Sequence, residues 1–124
     1  MRKVLAVASL AAVLSSCGSA TAASRRLDPT SDLDCAITAY VFYVDATQKG
    51  APEKPTQELR IAAEWFGGNM KARGYEPTGA QYKAVSNLVL ADAQAAKAEL
   101  KGCMDRATRD SRFSTFVERR GWRG

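Results

Sequence analysis

The sequence predicts an all-α fold: a small antiparallel bundle of three long helices and a short C-terminal helix, stapled by one disulfide. Three observations predict it. Apolar residues recur at steps of three and four through most of the chain beyond residue 31. Capping and stop signals, Ser31, Pro52, Gly74 and Pro77-Thr78 among them, cut that pattern into helix-length pieces. Cys35 and Cys103 then fall on the first and third pieces, in a chain whose opening residues read as an export signal. At 124 residues the chain has the size of one domain, which excludes a multidomain enzyme.

Residues 1–23 form the expected export signal. Arg2 and Lys3 give a positive start, Val4 to Leu14 an apolar run, and Ser15, Ser16, Cys17, Gly18, Ser19 and Ala20 a small-residue stretch. The apolar run is well short of the roughly 18–20 residues that span a bilayer. Two processing sites compete. Leu14-Ser15-Ser16-Cys17 resembles the lipobox of bacterial lipoproteins, which implies a signal ending at residue 16, a lipid on Cys17 and, with Ser19 in place of an inner-membrane aspartate, outer-membrane anchoring. The rival is ordinary cleavage near Ala20-Thr21-Ala22. Either way Cys17 leaves the thiol count, and Cys35 and Cys103 remain as a pair in an oxidising compartment. Closing the long loop between them is worth about 4 kcal/mol. The other use of the pair, as reactive thiols, lacks a Cys-x-x-Cys motif and any histidine to activate a thiolate.

Residues 24–124 form the single helical domain. After a polar lead-in from Ser24 to Pro29, Ser31 and Asp34 have capping-box spacing. Leu33, Ile37, Tyr40, Val41 and Val44 make one helical face up to about Gln48, and Cys35, Ala39, Phe42 and Ala46 a second. An apolar surface all round implies a central helix covered by its neighbours. Tyr40 to Val44 has strand propensity as well, but no partner strand is evident. A linker, Lys49 to Pro55, leads to a second helix capped by Thr56 and running to about Arg73, with Leu59, Ala62, Ala63, Phe66 and Met70 on one side. Thr78 and Gln81 form a capping box that opens a third, long helix to about Arg106, whose stripe runs from Tyr82 through Val85, Val89, Ala93 and Ala96 to Cys103. Phe113, Phe116 and Val117 indicate the short fourth helix, inside a basic tail at 108–124.

The chemistry is mostly exclusion. The chain has no histidine, so histidine-based nucleophile systems and histidine metal sites are ruled out. No Walker loop or GxGxxG occurs, no metal or other cofactor is expected, and no nucleic-acid partner. Asp32 and Asp34 sit where a helix dipole favours negative charge, which makes them capping residues first. Asp92, beside the stripe of the third helix, is either an exposed edge residue or a buried carboxylate paired with a base.

The unusual stretch is Trp65 to Tyr75. Gly67 and Gly68 inside a helical pattern cost roughly 2 kcal/mol against alanine. Either they let a neighbouring helix approach while Trp65 and Phe66 fill the core, or Trp65, Gly67, Gly68, Arg73 and Tyr75 form an exposed aromatic-basic interaction patch. This aromatic-Phe-x-Gly-x-x-x-x-Arg-Gly segment, set between an early and a late helical cysteine, resembles small exported bacterial helical proteins of uncharacterised function. More loosely, the layout is similar to the acid-stress periplasmic chaperones, from which it departs in its basic balance and lipobox.

Three function classes follow. The first is a non-enzymatic periplasmic or envelope protein, accessory or chaperone-like, whose partner is another protein. The second is a binder of anionic lipid surfaces or lipopolysaccharide through Arg112, Arg119, Arg120, Trp122 and Arg123 with the nearby phenylalanines. The third, an enzyme working by carboxylates alone, has the least behind it. The net charge of +5 bears on the second class. Arg2 and Lys3 of the expected signal supply two of these charges; beyond it the basic excess is in the tail, where residues 106–124 hold six arginines against Asp110 and Glu118, whereas residues 24–105 are almost neutral.

Overall fold

The computed structural model describes residues 25–120, and these are all-helical, with five helices and no strand. They are α1 (Asp32–Gln48), α2 (Glu53–Ala72), α3 (Gly79–Ala91), α4 (Ala93–Thr108) and α5 (Ser111–Arg119). Residues 1–23, expected to be an export signal, and Cys17 among them, lie outside the described residues, as do Trp122 and Arg123. Cys35 and Cys103 form the disulfide, 68 residues apart in sequence, and join the first turn of α1 to α4.

Local chemistry sets the helix ends. Ser31 Oγ accepts from Asp34 N at 3.2 Å and caps α1. The reciprocal half of the expected capping box is missing, because the Asp34 carboxylate is drawn to Arg25 and to the backbone N–H of Asp28. Helix α2 starts three residues before Thr56. Pro52 stands at its N-cap, and Pro55 in the first turn has no N–H to leave unpaired. Thr56 is therefore inside the helix, where its hydroxyl donates to Pro52 O at 2.8 Å. At the other end Gly74 takes φ +72, Gly74 N donates to Lys71 O and Tyr75 N to Met70 O, the left-handed stop that glycine permits.

The expected third helix is two helices. Asp92 leaves helical geometry at φ −148°, ψ 83°, ends α3, and caps α4 by accepting from Ala95 N at 3.1 Å. Aspartate is a poor interior helix residue and a strong N-cap, and here that preference outweighs the continuous apolar stripe. Asp92 is accordingly exposed, and so is Ala93, which belonged to the stripe.

The core lies between α1, α2 and α4 and is sealed by α5. Cys35, Ala39, Ile61, Ala62, Phe66 and Cys103 are at its centre. Phe113 and Phe116 of α5 meet the Trp65 ring edge-on, with centroids 5.3 and 5.4 Å away. The all-round apolar surface of α1 is covered only over its first half. Residues 34–39 are buried, but Tyr40 is 55% exposed and the residues that follow are half-buried or exposed. The helices around α1 are too few to wrap its whole length.

Candidate functional site

Two features could act on other molecules: a knot of charges at the start of α1, and an aromatic groove along its second half.

The lead-in 25–31 builds the knot. Asp34, 1% exposed, accepts from Arg25 Nη2 at 2.9 and 3.1 Å and from Asp28 N at 2.8 Å. Asp32, two residues before it and also buried, accepts from Arg106 of α4 at 3.0 Å and forms an ion pair with Arg73, just past α2, at 2.9 Å. Arg106 makes further contacts: Nε donates to Pro29 O at 2.9 Å, Nη2 approaches Cys35 Sγ at 3.5 Å, and the guanidinium lies 4.9 Å from the centre of the Phe66 ring. Gly102 makes the approach of the lead-in possible, since a Cβ there would stand 3.0 Å from Pro29 Cβ. Hydrogen bonds from the Thr30 hydroxyl (2.7 Å), then its N–H (2.9 Å), hold the Asp28 carboxyl below its usual range. These acids are thus each held by arginines, a hydroxyl or backbone N–H groups.

The groove lies between α1, α2 and α3 and has a volume of about 590 Å³. Tyr40, Tyr43 and Tyr82 line its open side, Ile37 and Met70 its floor, and Arg60 and Glu64 its rim. Arg60 and Glu64 are held together at 2.6 Å. The Tyr40 and Tyr43 rings are 6.2 Å apart, and Tyr40 and Tyr82 are among the large apolar side chains most exposed to water.

The residues anticipated as one patch are divided. Trp65 is buried under α5 and presents no surface, because Phe113 and Phe116 need its faces. Gly67 borders the groove, while Gly68 points to solvent. Neither glycine makes room for a neighbouring helix, since a Cβ at either would meet nothing within 4 Å. Arg73 and Tyr75 flank a different cavity, where Tyr75 Oη accepts from Gln81 Nε2 at 3.2 Å.

In the tail, Phe113 is core, so this aromatic is not available to a lipid surface. Arg112 is tied to Asp110 at 2.7 Å, and Arg120 to Glu64 at 2.8 Å with its guanidinium over Phe116. Asp110 caps α5, and its carboxyl is pulled down to about 2, first by the Arg112 side chain and then by the Arg112 N–H. Arg119 is exposed on the outer side of α5.

The groove was hidden in the sequence because Tyr40 and Tyr82 fit helical stripes and read as core, while Tyr43 fell on neither stripe of the first helix. The partners of Asp32 lie 41 and 74 residues away along the chain, beyond any local spacing rule. No helix of the described residues is long and apolar enough to cross a membrane. Fold and site together define a disulfide-stapled helical protein with an open tyrosine groove. No protein-family model, no curated protein and no solved structure matches the chain.

Proposed function

We propose that this chain is an exported, non-enzymatic protein of the cell envelope that acts by binding another protein, as an accessory or chaperone-like component of the periplasm. In this reading residues 1–23 are the export signal, Cys17 carries a lipid or leaves with the signal, and the mature protein belongs with the small exported bacterial helical proteins that it resembles. The long helices run antiparallel, the arrangement in which a bond from the start of α1 to α4 joins opposite helix ends.

The observation that carries the reading is the tyrosine groove. Tyrosine supplies large contact area at low entropic cost, and exposed aromatics such as Tyr40 and Tyr82 beside an apolar floor are a common composition of a protein-binding surface. The disulfide suits an oxidising compartment. The test is a Tyr40→Ser/Tyr82→Ser double variant. It should fold normally, because both side chains are exposed, and lose the protein that co-purifies with the wild type after mild crosslinking in cells. Unchanged recovery of that protein, or recovery of none by the wild type, would overturn the reading. Intact mass decides the anchor: a start at Cys17 plus acyl mass supports it, and an unmodified start near Ala23 refutes it.

A second reading, contact with anionic lipid or lipopolysaccharide, draws on Arg112 and Arg119, exposed along α5. Vesicle binding that is unchanged in an Arg112→Gln/Arg119→Gln variant would exclude it.

A further inference from the structure

A second concavity, of about 430 Å³, lies between the lead-in, the start of α1, the chain just past α2, and α3. That is within the range of roughly 300–1,000 Å³ common for small-molecule sites. It is distinct from the tyrosine groove in lining and chemistry. We infer that this cavity binds a carboxylate carried on an aliphatic segment, with Arg73 and Arg25 holding the carboxylate and Leu33, Val85 and Leu88 the aliphatic part.

The polar side is rich in donors and poor in acceptors. Among the described residues Asp32 is the only carboxylate in the lining, and both of its oxygens are already engaged, one by Arg106 and one by Arg73. A cation entering the cavity finds no free carboxylate. Arg73 commits one terminal nitrogen to Asp32, and its side chain is 63% exposed, so its other N–H groups are open to a ligand. Arg25 is placed by Asp34 through Nη2, with Nη1 donating to Arg26 O, and at 53% exposed it keeps Nε and further N–H groups for a ligand. Ser31 Oγ accepts from Asp34 N, and Tyr75 Oη accepts from Gln81, which leaves each hydroxyl proton for an incoming acceptor. The buried aspartates orient the guanidiniums in advance, so little side-chain freedom is lost when an anion docks.

The other side is apolar. Leu33, Ala84, Val85 and Leu88 form a wall that a phosphate or sulfate, hydrophilic all round, would leave wet. A carboxylate on an aliphatic segment satisfies both sides. A medium-chain fatty acid and the free C-terminus of a peptide ending in leucine share this chemistry.

The test is titration of the purified, disulfide-intact protein with octanoate and with N-acetyl-alanyl-alanyl-leucine, read by amide chemical shifts and by calorimetry, with octanol as the uncharged control. Shifts centred on Arg73, Tyr75 and Leu88 are expected for at least one of the two probes, and which of them binds tells the lipid source from the peptide source. Loss of one charge-assisted contact in Arg73→Gln should weaken binding by about tenfold or more. Because Arg73→Gln also removes a partner of Asp32, Ala84→Trp is the second variant: it fills the cavity from an exposed position of α3, leaves every ion pair in place, and should abolish binding. Absence of shifts with both probes at millimolar concentration would overturn the inference. So would equal binding of octanol, or binding that survives both variants.

Discussion

Arg106 reaches Asp32 across 74 positions of sequence and meets its Oδ1 at 3.0 Å. This one contact ties α4 to the start of α1, and the same guanidinium also holds Pro29 O and flanks the Cys35 sulfur. The disulfide and the ion pair are therefore one junction, with a covalent and an electrostatic half. Arg106→Gln leaves Asp32 buried with Arg73 as its only base. A fully buried pair broken on one side costs about 3–5 kcal/mol. Arg106 is about a third exposed, so a loss of about 2–3 kcal/mol in urea unfolding is expected, against under about 1 kcal/mol for the more exposed Arg73→Gln. Equal losses for the two variants would contradict the junction.

Removing the covalent half should be at least as costly. Cys35→Ser/Cys103→Ser reopens the 68-residue loop and should lower stability by about 4 kcal/mol, a large share of the ~5–15 kcal/mol typical of a domain. Comparison of urea midpoints with and without a reductant checks the same quantity on the native chain.

Gly68 offers a change in the opposite direction. It lies inside α2 with open space where a Cβ would stand, so Gly68→Ala should raise stability by about 0.5–1 kcal/mol through helix propensity. Thermal unfolding measures it. A destabilised variant would mean that the backbone at Gly68 is approached more closely than the structure shows.

Acid should loosen α5. The Asp110 carboxyl is pulled down to about 2 in the folded protein, below its ordinary value of 3.8, because Arg112 binds its charged form. A lowered folded pKa contributes stability that is complete above the unfolded value and is lost as pH falls through the folded one, so the α5 cap should fail between about pH 4 and pH 2. Trp65, packed against Phe113 and Phe116, reports the event by fluorescence. In Asp110→Asn the part of that fluorescence change due to the cap should disappear.

Much of this molecule could be read from its residues. The all-helical class, the first helix to Gln48 and the Gly74 stop rest on local rules of period and capping, the Cys35–Cys103 bond on cysteine arithmetic, and the structure follows them. The break at Asp92 was harder, because a stripe with steps of three and four runs straight through it. There the capping preference of one side chain decided the backbone. Trp65 and Tyr75 show the remaining difficulty. Both are amphipathic aromatics ten residues apart in one segment, yet α5 closes over the first and nothing closes over the second. Long-range packing makes that difference, and the spacing along α2 carries no trace of it. The groove has the same origin: Tyr40 is exposed because too few helices surround the second half of α1.

The groove carries the functional account, and site-specific photocrosslinking in cells tests it most directly. A photoreactive amino acid at position 40, with position 97 on the exposed side of α4 as the control, should give a discrete protein adduct from position 40 alone, abolished by Tyr82→Ser. No adduct at position 40, or the same adducts from both positions, would contradict a binding role for the groove.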